Sequence, residues 1–197
     1  MDPAEAKGQL RADLRKRRRE REVLQSHGEA IAAHIGDLEP VREACEQGLV
    51  ITCYSARPGE PPTEPLRATL RAAGATVLLP RVEGDDLVWC VEEDASEMAV
   101  NSLGIAEPTG DPIDLAEAAP AVWIIPALAI DEDGYRLGQG GGFYDRALRD
   151  QPEGGGGPII ALIFEDEMVH EVPREDHDHR VDIVVTPERV RWLSMPD

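Results

Sequence analysis

The sequence predicts a single-domain α/β protein, a mostly parallel sheet with helices on both faces, and three observations carry that expectation. Its 197 residues fall in the usual range of one domain, and 42% hydrophobic residues are enough for a buried core. After Gly48, short apolar runs alternate with helical pieces, the rhythm of parallel strands joined by crossover helices. Two of those runs, Ala121 to Ile125 and Ile159 to Phe164, are apolar almost without interruption, as strands covered on both faces are. No repeat or composition break divides the chain, so one domain is expected over residues 1–197, with N-terminal helices over 1–47 and an α/β core over 48–197.

The elements follow in order. Ala4 to about Leu24 has helical composition, with Leu10 and Leu14 four apart. A second helix is expected over His27 to Gln47, where Ile31, Ile35 and Leu38 share a face and Gly48 can end it. Leu49 to Tyr54 reads as the first strand, Glu64 to Ala73 as a helix, and Ala75 to Leu79 as a strand stopped by Pro80. Further strands are expected at Asp86 to Val91, Ala121 to Ile125, Ile159 to Phe164, Val181 to Val185 and Arg189 to Leu193. Short helices fill Leu115 to Ala118 and Tyr144 to Arg149, and the four glycines Gly154 to Gly157 read as a surface connection.

Charge narrows the function classes. With 39 Asp and Glu against 20 Lys and Arg the net charge is −19, which opposes nucleic acid and anionic membranes at long range. Through Arg21 the chain carries 8 basic and 4 acidic residues, leaving 12 basic and 35 acidic for the rest, so a basic helix stands on an acidic protein. Taken alone, the run from Arg15 to Arg21 reads as a solvated basic face. Arginine in place of lysine, of which only Lys7 and Lys16 occur, is also what adaptation to concentrated salt looks like; unfolding at low salt would support that halophilic expectation. The three cysteines Cys45, Cys53 and Cys90 fit neither a disulfide framework nor a zinc spacing. No apolar run is long enough to cross a bilayer and the charged N-terminus has no signal core, so a cytoplasmic protein is expected. A monomer or weak dimer is the expected oligomeric state.

The stretch Pro126 to Arg146 runs from a buried strand through the glycines Gly138, Gly140, Gly141 and Gly142 into a helix. Glycines let backbone N–H groups approach an anion, and a following helix start adds unpaired donors, so the stretch can cradle phosphate. It lacks the Gly-Lys-Ser/Thr of a P-loop, and Phe143 stands where a dinucleotide fingerprint needs glycine.

Read as a whole, the stretch resembles the signature of the 5-formyltetrahydrofolate cyclo-ligase (methenyltetrahydrofolate synthetase) family. It matches at Pro126, Ala129, Asp131, Gly134, Arg136, Leu137, Gly138, Gly140, Gly142, Tyr144, Asp145 and Arg146, with Ile130 in place of Phe and Phe143 in place of Tyr. The resemblance extends to Lys7 and Arg11 on the first helix, Glu60 to Thr63, Leu79-Pro80-Arg81-Val82, Gly104 to Pro108, and His177-Asp178 with Val181-Asp182. It implies a three-layer architecture of the kind found in NagB and RpiA. The implied activity is an ATP-dependent cyclisation with Mg²⁺: the formyl oxygen attacks the γ-phosphate, N10 closes the ring, and phosphate leaves with formation of 5,10-methenyltetrahydrofolate. Such chemistry needs cations and in-line positioning more than a nucleophilic side chain.

By the same resemblance, ATP would be held by Lys7, Arg11, Arg136, Leu137, Gly138, Gln139, Gly140, Gly141, Gly142, Phe143 and Tyr144. Tyr54, Glu60, Gln139 and Phe143 would meet the folate, Asp145 and Asp178 would stand near Mg²⁺, and Arg136, Phe143 and Asp145 would act at the reacting atoms. Gln139 departs from the cationic or aromatic residue common in the family, and Phe143 lacks the tyrosine hydroxyl. His177 and His179, two apart, raise a transition-metal site for which no third ligand stands nearby. Trp89, Trp123 and Tyr135 are candidate aromatic contacts, with core packing as their ordinary role. The rival functions are an ATP-binding relative acting on another one-carbon or thiamine-related compound, and a non-catalytic nucleotide-binding regulator.

Overall fold

The computed structural model describes residues 3–93, 98–101, 104–149, 156–174 and 179–193. Three helices come first: α1 (Pro3–Glu20), α2 (Gln25–Gly36) and α3 (Glu39–Glu46). The helix expected over His27 to Gln47 is therefore two. Leu38 is extended at φ −72°, ψ 128°, and Pro40 in the first turn of α3 has no N–H to continue the α2 ladder, so the chain turns there.

A seven-stranded sheet follows, built from β1 (Val50–Thr52), β2 (Thr76–Glu83), β3 (Asp86–Val91), β6 (Val122–Pro126), β9 (Ile159–Leu162), β11 (Ile183–Val185) and β12 (Val190–Trp192). Its order is β12-β11-β9-β6-β1-β2-β3. The five inner strands are parallel, and β3 and β12 pair antiparallel at the two edges. β2 runs through Pro80 instead of stopping before it: registered pairing with β1 ends at Leu78, so Pro80 already lies on an open edge and its missing N–H breaks no ladder with β1.

Side-chain alternation divides the core. Ile51, Val77, Leu79, Val122, Ile124, Ile160, Leu162, Ile183 and Val185 point to the face covered by α2, α3 and α4 (Glu64–Ala72). Leu78, Trp123, Ile125, Ala161 and Val184 point to the opposite face, under α5 (Leu115–Ala118) and α6 (Phe143–Arg149). Trp89 and Trp123 meet there edge to face with centroids 5.6 Å apart, both core residues.

Gly28 of α2 marks where the helices close up. A Cβ there would stand 2.9 Å from both the Cβ and the carbonyl oxygen of Pro62 and 3.1 Å from Pro65, so Gly28→Ala must push α2 off the segment that starts α4. The expected cost is about 1–3 kcal/mol, read as a lower midpoint in denaturant at unchanged m-value.

Small strands complete the fold: β4 (Met98–Val100) with β5 (Ala106–Pro108), and β7 (Ala129–Asp131) between β8 (Arg136–Leu137) and β10 (Met168–Val169). None was expected from the sequence, each being two or three residues long. The α1 residue Leu14 clusters with Leu128, Ala129 and Leu137 of the β7–β8 hairpin and with Val172 beyond β10. Among the described residues no helix is long and apolar enough to cross a membrane.

Candidate active site

In parallel-strand order the sheet reads β2-β1-β6-β9-β11, so the chain leaves β1 toward one edge and resumes at β6 toward the other. Open α/β sheets bind ligands at the carboxyl ends of the strands flanking such a reversal. Here β1 runs out into Tyr54 and Ser55, and β6 into Ala127 and Leu128, and all four line a cleft of about 780 Å³, open mouth included.

One wall of the cleft is apolar: Pro80 and Val82 of β2, Leu87 of β3 and Ile105, with Glu107 of β5 beside them. Glu107 is fixed by accepting from the Val82 backbone N–H at 3.2 Å. The other wall is the glycine loop with Phe143, Tyr144 and Asp145 at the start of α6. Gly140 and Gly142 adopt φ of +101° and +66°, which is why this loop needs glycine. Arg57 and Glu60 close the end of the cleft.

Arg136 is the buried cation of the site, 7% exposed. It donates to the Asp145 carboxylate and, at 3.3 Å, to the Pro126 carbonyl, and its guanidinium carbon stands 5.8 Å from the centre of the Tyr144 ring. Its Nε has no partner among the described residues, and neither do the hydroxyls of Thr52, Tyr54 and Ser55 at the end of β1. Buried polar atoms are normally paired, and three of these, on Arg136, Tyr54 and Ser55, belong to residues that line the cleft.

Glu60 is 5% exposed. It accepts from the Arg57 backbone N–H at 3.0 Å and stands 3.5 Å from the Arg18 guanidinium. Burial pushes its carboxyl above the ordinary carboxylate range, while the Arg57 N–H, Arg18, Arg57 and a hydrogen bond with Gln139 pull it back. Burial likewise raises Tyr54, well above the usual phenol value, with the Glu60 charge adding to it, and raises Tyr144, so both hydroxyls stay neutral. The Cys53 thiol behind β1 is pushed up to about 12 by burial, and all three cysteines are buried and unpaired, in line with inert thiols.

Of the residues singled out in the sequence, Tyr54, Glu60, Arg136, Gly138, Gln139, Gly141, Gly142, Phe143, Tyr144 and Asp145 come together around this one cleft. Lys7, Arg11, Leu137 and Gly140 do not line it. Arg11 meets the loop from behind, donating to the Gly138 carbonyl at 2.9 Å, and Gly140 faces its guanidinium. The Leu137 side chain is buried with Leu14 and Leu128, so only its backbone could meet a ligand. Lys7 is buried on α1. His177 and Asp178 lie outside the described residues. Sequence reasoning missed Ser55, Arg57, Leu87, Ala127 and Leu128 on the lining; three of them, Ser55, Ala127 and Leu128, directly follow β1 and β6 and are reachable only once strand order is known.

The basic run from Arg15 to Arg21 is the expected solvated face at Arg15, Lys16, Arg17 and Arg19, all exposed, but not at Arg18 and Arg21, which turn inward. Arg15 bonds the Gln139 side-chain oxygen at 3.0 Å and its carbonyl at 2.6 Å. Arg18 is buried against Glu167, and Arg21 reaches Asp166 and Glu167, so α1 is tied by arginine to the loops around the cleft. Such burial is tolerable for Arg because each charge has a partner. A cation thus stands on Gln139 although position 139 itself is neutral.

Comparison with known proteins gives the family. The family model for the 5-formyltetrahydrofolate cyclo-ligase family matches residues 3–187. The chain is 34% identical over 191 residues to a 5-formyltetrahydrofolate cyclo-ligase of Mycolicibacterium smegmatis, covering 93% of this chain and 95% of that one. It is 33% identical over 183 residues to the enzyme of the same name from Escherichia coli strain K12, covering 90% and 98%. Among solved structures, the 5,10-methenyltetrahydrofolate synthetase of Aquifex aeolicus superposes with a TM-score of 0.78 at 25% identity, over 97% of this chain and 94% of that one. The synthetase of Mycoplasma pneumoniae shares the fold, with a TM-score of 0.70 at 17% identity over 95% and 99% of the two chains. With the family model matched over residues 3–187 and relatives 33–34% identical over nearly its whole length, the chain belongs to the 5-formyltetrahydrofolate cyclo-ligase family.

Proposed function

We propose that this cleft and its glycine loop carry out the family's reaction in this chain: the ATP-dependent conversion of 5-formyltetrahydrofolate to 5,10-methenyltetrahydrofolate with release of ADP and phosphate. The observation that carries the placement is Arg136, a buried guanidinium with an unpaired Nε, held by Asp145 where the glycine loop meets the ends of β1 and β6. The formyl oxygen of the substrate attacks the γ-phosphorus, the bond to the ADP oxygen breaks, and the negative charge spread over the transferring group is met by Arg136 and loop N–H groups. N10 then attacks the activated formyl carbon, loses its proton, and phosphate departs. Lys7 and Arg11 would act on the nucleotide from the α1 side of the loop, together with the backbone of Leu137 to Tyr144. Phe143 offers an aromatic face to the folate, and Tyr54, Glu60 and Gln139 its polar contacts.

Asp145 suits Mg²⁺: it gives one oxygen to Arg136 and stays about a quarter exposed beside the loop. Among the described residues no group of three His, Cys, Asp or Glu could hold a metal without help, which fits an ion brought in on phosphate oxygens. Asp178 is proposed as the second carboxylate. Bound there, Mg²⁺ would neutralise phosphate charge.

The test is an assay with MgATP and 5-formyltetrahydrofolate that follows the methenyl product by its near-UV absorbance alongside ADP. One ADP per methenyl product is expected; ATP binding by the folded protein without product would overturn the reading. Glu60→Ala removes a charge-assisted hydrogen bond of about 1.5–3 kcal/mol, so KM for 5-formyltetrahydrofolate is expected to rise about tenfold or more while KM for ATP stays within about twofold.

A further inference from the structure

Behind the cleft, on the side away from the substrate, Arg18 of α1 occupies a position that the reaction itself does not require. Its guanidinium forks onto Glu167, with Nε to Oε1 at 2.8 Å and Nη2 to Oε2 at 2.7 Å, and Nη2 also meets the Ala127 carbonyl at 2.5 Å. The remaining nitrogen, Nη1, makes no hydrogen bond and stands 3.5 Å from Glu60 Oε1. Both Ala127 and Glu60 line the cleft, and Arg18 and Glu60 are each 5% exposed. The fork on Glu167 leaves the guanidinium little freedom, so its third nitrogen is held as a fixed positive charge behind the Glu60 carboxylate.

Glu60 needs such a charge. A carboxyl this buried tends to take up a proton, and a protonated carboxyl loses half its capacity to accept hydrogen bonds. The other groups facing it are Arg57, whose backbone N–H it holds, the Gln139 amide, and the neutral hydroxyls of Tyr54 and Tyr144. Glu167 faces Arg18 from the single turn of 3₁₀ helix at Glu165–Glu167 and fixes its direction.

We propose that Arg18 is a positioning residue that keeps Glu60 an ionised acceptor aimed into the cleft, and so selects a ligand edge offering adjacent N–H donors, such as an aminopyrimidinone ring. This rests on the proposed function for the identity of the ligand, but the coupling of Arg18 to Glu60 does not. The coupling is read without substrate, from the carboxyl ¹³C NMR titration of Glu60 in the full chain, assigned with Glu60→Gln. Arg18→Met combined with Glu167→Gln avoids stranding Glu167 as a buried charge. In that variant the Glu60 titration is expected to move up by at least one pH unit. The acid limb of the KM profile for 5-formyltetrahydrofolate should move up with it, because binding falls as Glu60 takes its proton. KM for ATP should change less than twofold, and Arg18→Lys with Glu167 retained should restore part of both shifts. An unchanged Glu60 titration in the folded variant overturns the inference. A shifted titration with a wild-type protein that never turns over the folate would uphold the Arg18 coupling and reject the assigned ligand.

Discussion

Arg136→Ala is expected to lower kcat on the order of 10²–10³-fold, the loss found when one preorganised donor is taken from developing negative charge. Two effects add in the same direction. The cation proposed to stand beside the transferring phosphate is lost, and Asp145, whose carboxylate Arg136 holds, is left as an uncompensated negative charge beside the glycine loop. Arg136→Lys keeps the charge but cannot reach the Pro126 carbonyl and the Asp145 carboxylate together from one nitrogen, so only partial recovery is expected. Combining Arg136→Ala with Asp145→Asn should cost less than the product of the two single losses, since the second change removes the charge that the first one strands. Single-turnover phosphoryl transfer at saturating ATP is the deciding measurement. An Arg136→Ala protein with intact circular dichroism and kcat within threefold of wild type would remove Arg136 from the reaction.

The central sheet was legible because its strands are covered on both faces: the runs at Ala121 to Ile125 and Ile159 to Phe164 have nowhere else to go, and they became β6 and β9 with alternate residues feeding two cores. The loop residues were legible for a different reason. Positive φ at Gly140 and Gly142 leaves little choice of residue, so a conformational demand appears directly in the composition. What stayed hidden depends on distant partners. The inward face of α1 reads Lys7, Arg11, Leu14 and Arg18, with Arg21 just past its end, in steps of four and three, a stripe made mostly of cations. Taken alone, such a stripe faces water; it turns inward only because Glu167, 149 positions along the chain from Arg18, and Glu60 are waiting there. The split at Pro40 had a local cause that was visible in the sequence, but the apolar spacing of Ile31, Ile35 and Leu38 concealed it. Strand order was the other hidden quantity, and with it the contribution of Ser55 and Ala127 to the cleft.

Glu167→Ala should be the most damaging substitution for stability outside the hydrophobic core. Glu167 is 1% exposed, accepts both arms of the Arg18 fork and one nitrogen of Arg21 at 2.7 Å, and takes the Phe164 backbone N–H at 3.0 Å on its second oxygen. Removing it leaves the Arg18 guanidinium in the interior with the neutral Ala127 carbonyl and, 3.5 Å away, Glu60 as its remaining partners, a loss of about 3–5 kcal/mol for breaking a buried pair from one side. Against a total stability of about 5–15 kcal/mol that is a large share, and at roughly 2–4 °C per kcal/mol for a chain of this size Tm should fall by about 6–20 °C. Glu167→Gln keeps the shape and one acceptor oxygen, and a smaller fall is expected. The comparison that isolates the charge is the pair Arg18→Met with Glu167→Leu: if the damage comes from a stranded cation, the double variant is more stable than Glu167→Ala alone, although it has lost more hydrogen bonds. If instead the two changes simply add, the carboxylate acts mainly through the Phe164 N–H and the turn that this bond closes, and α1 is held by its apolar contacts at Leu14. Thermal unfolding of the three variants separates these accounts, because only the stranded-charge mechanism reverses the order of the single and double substitutions.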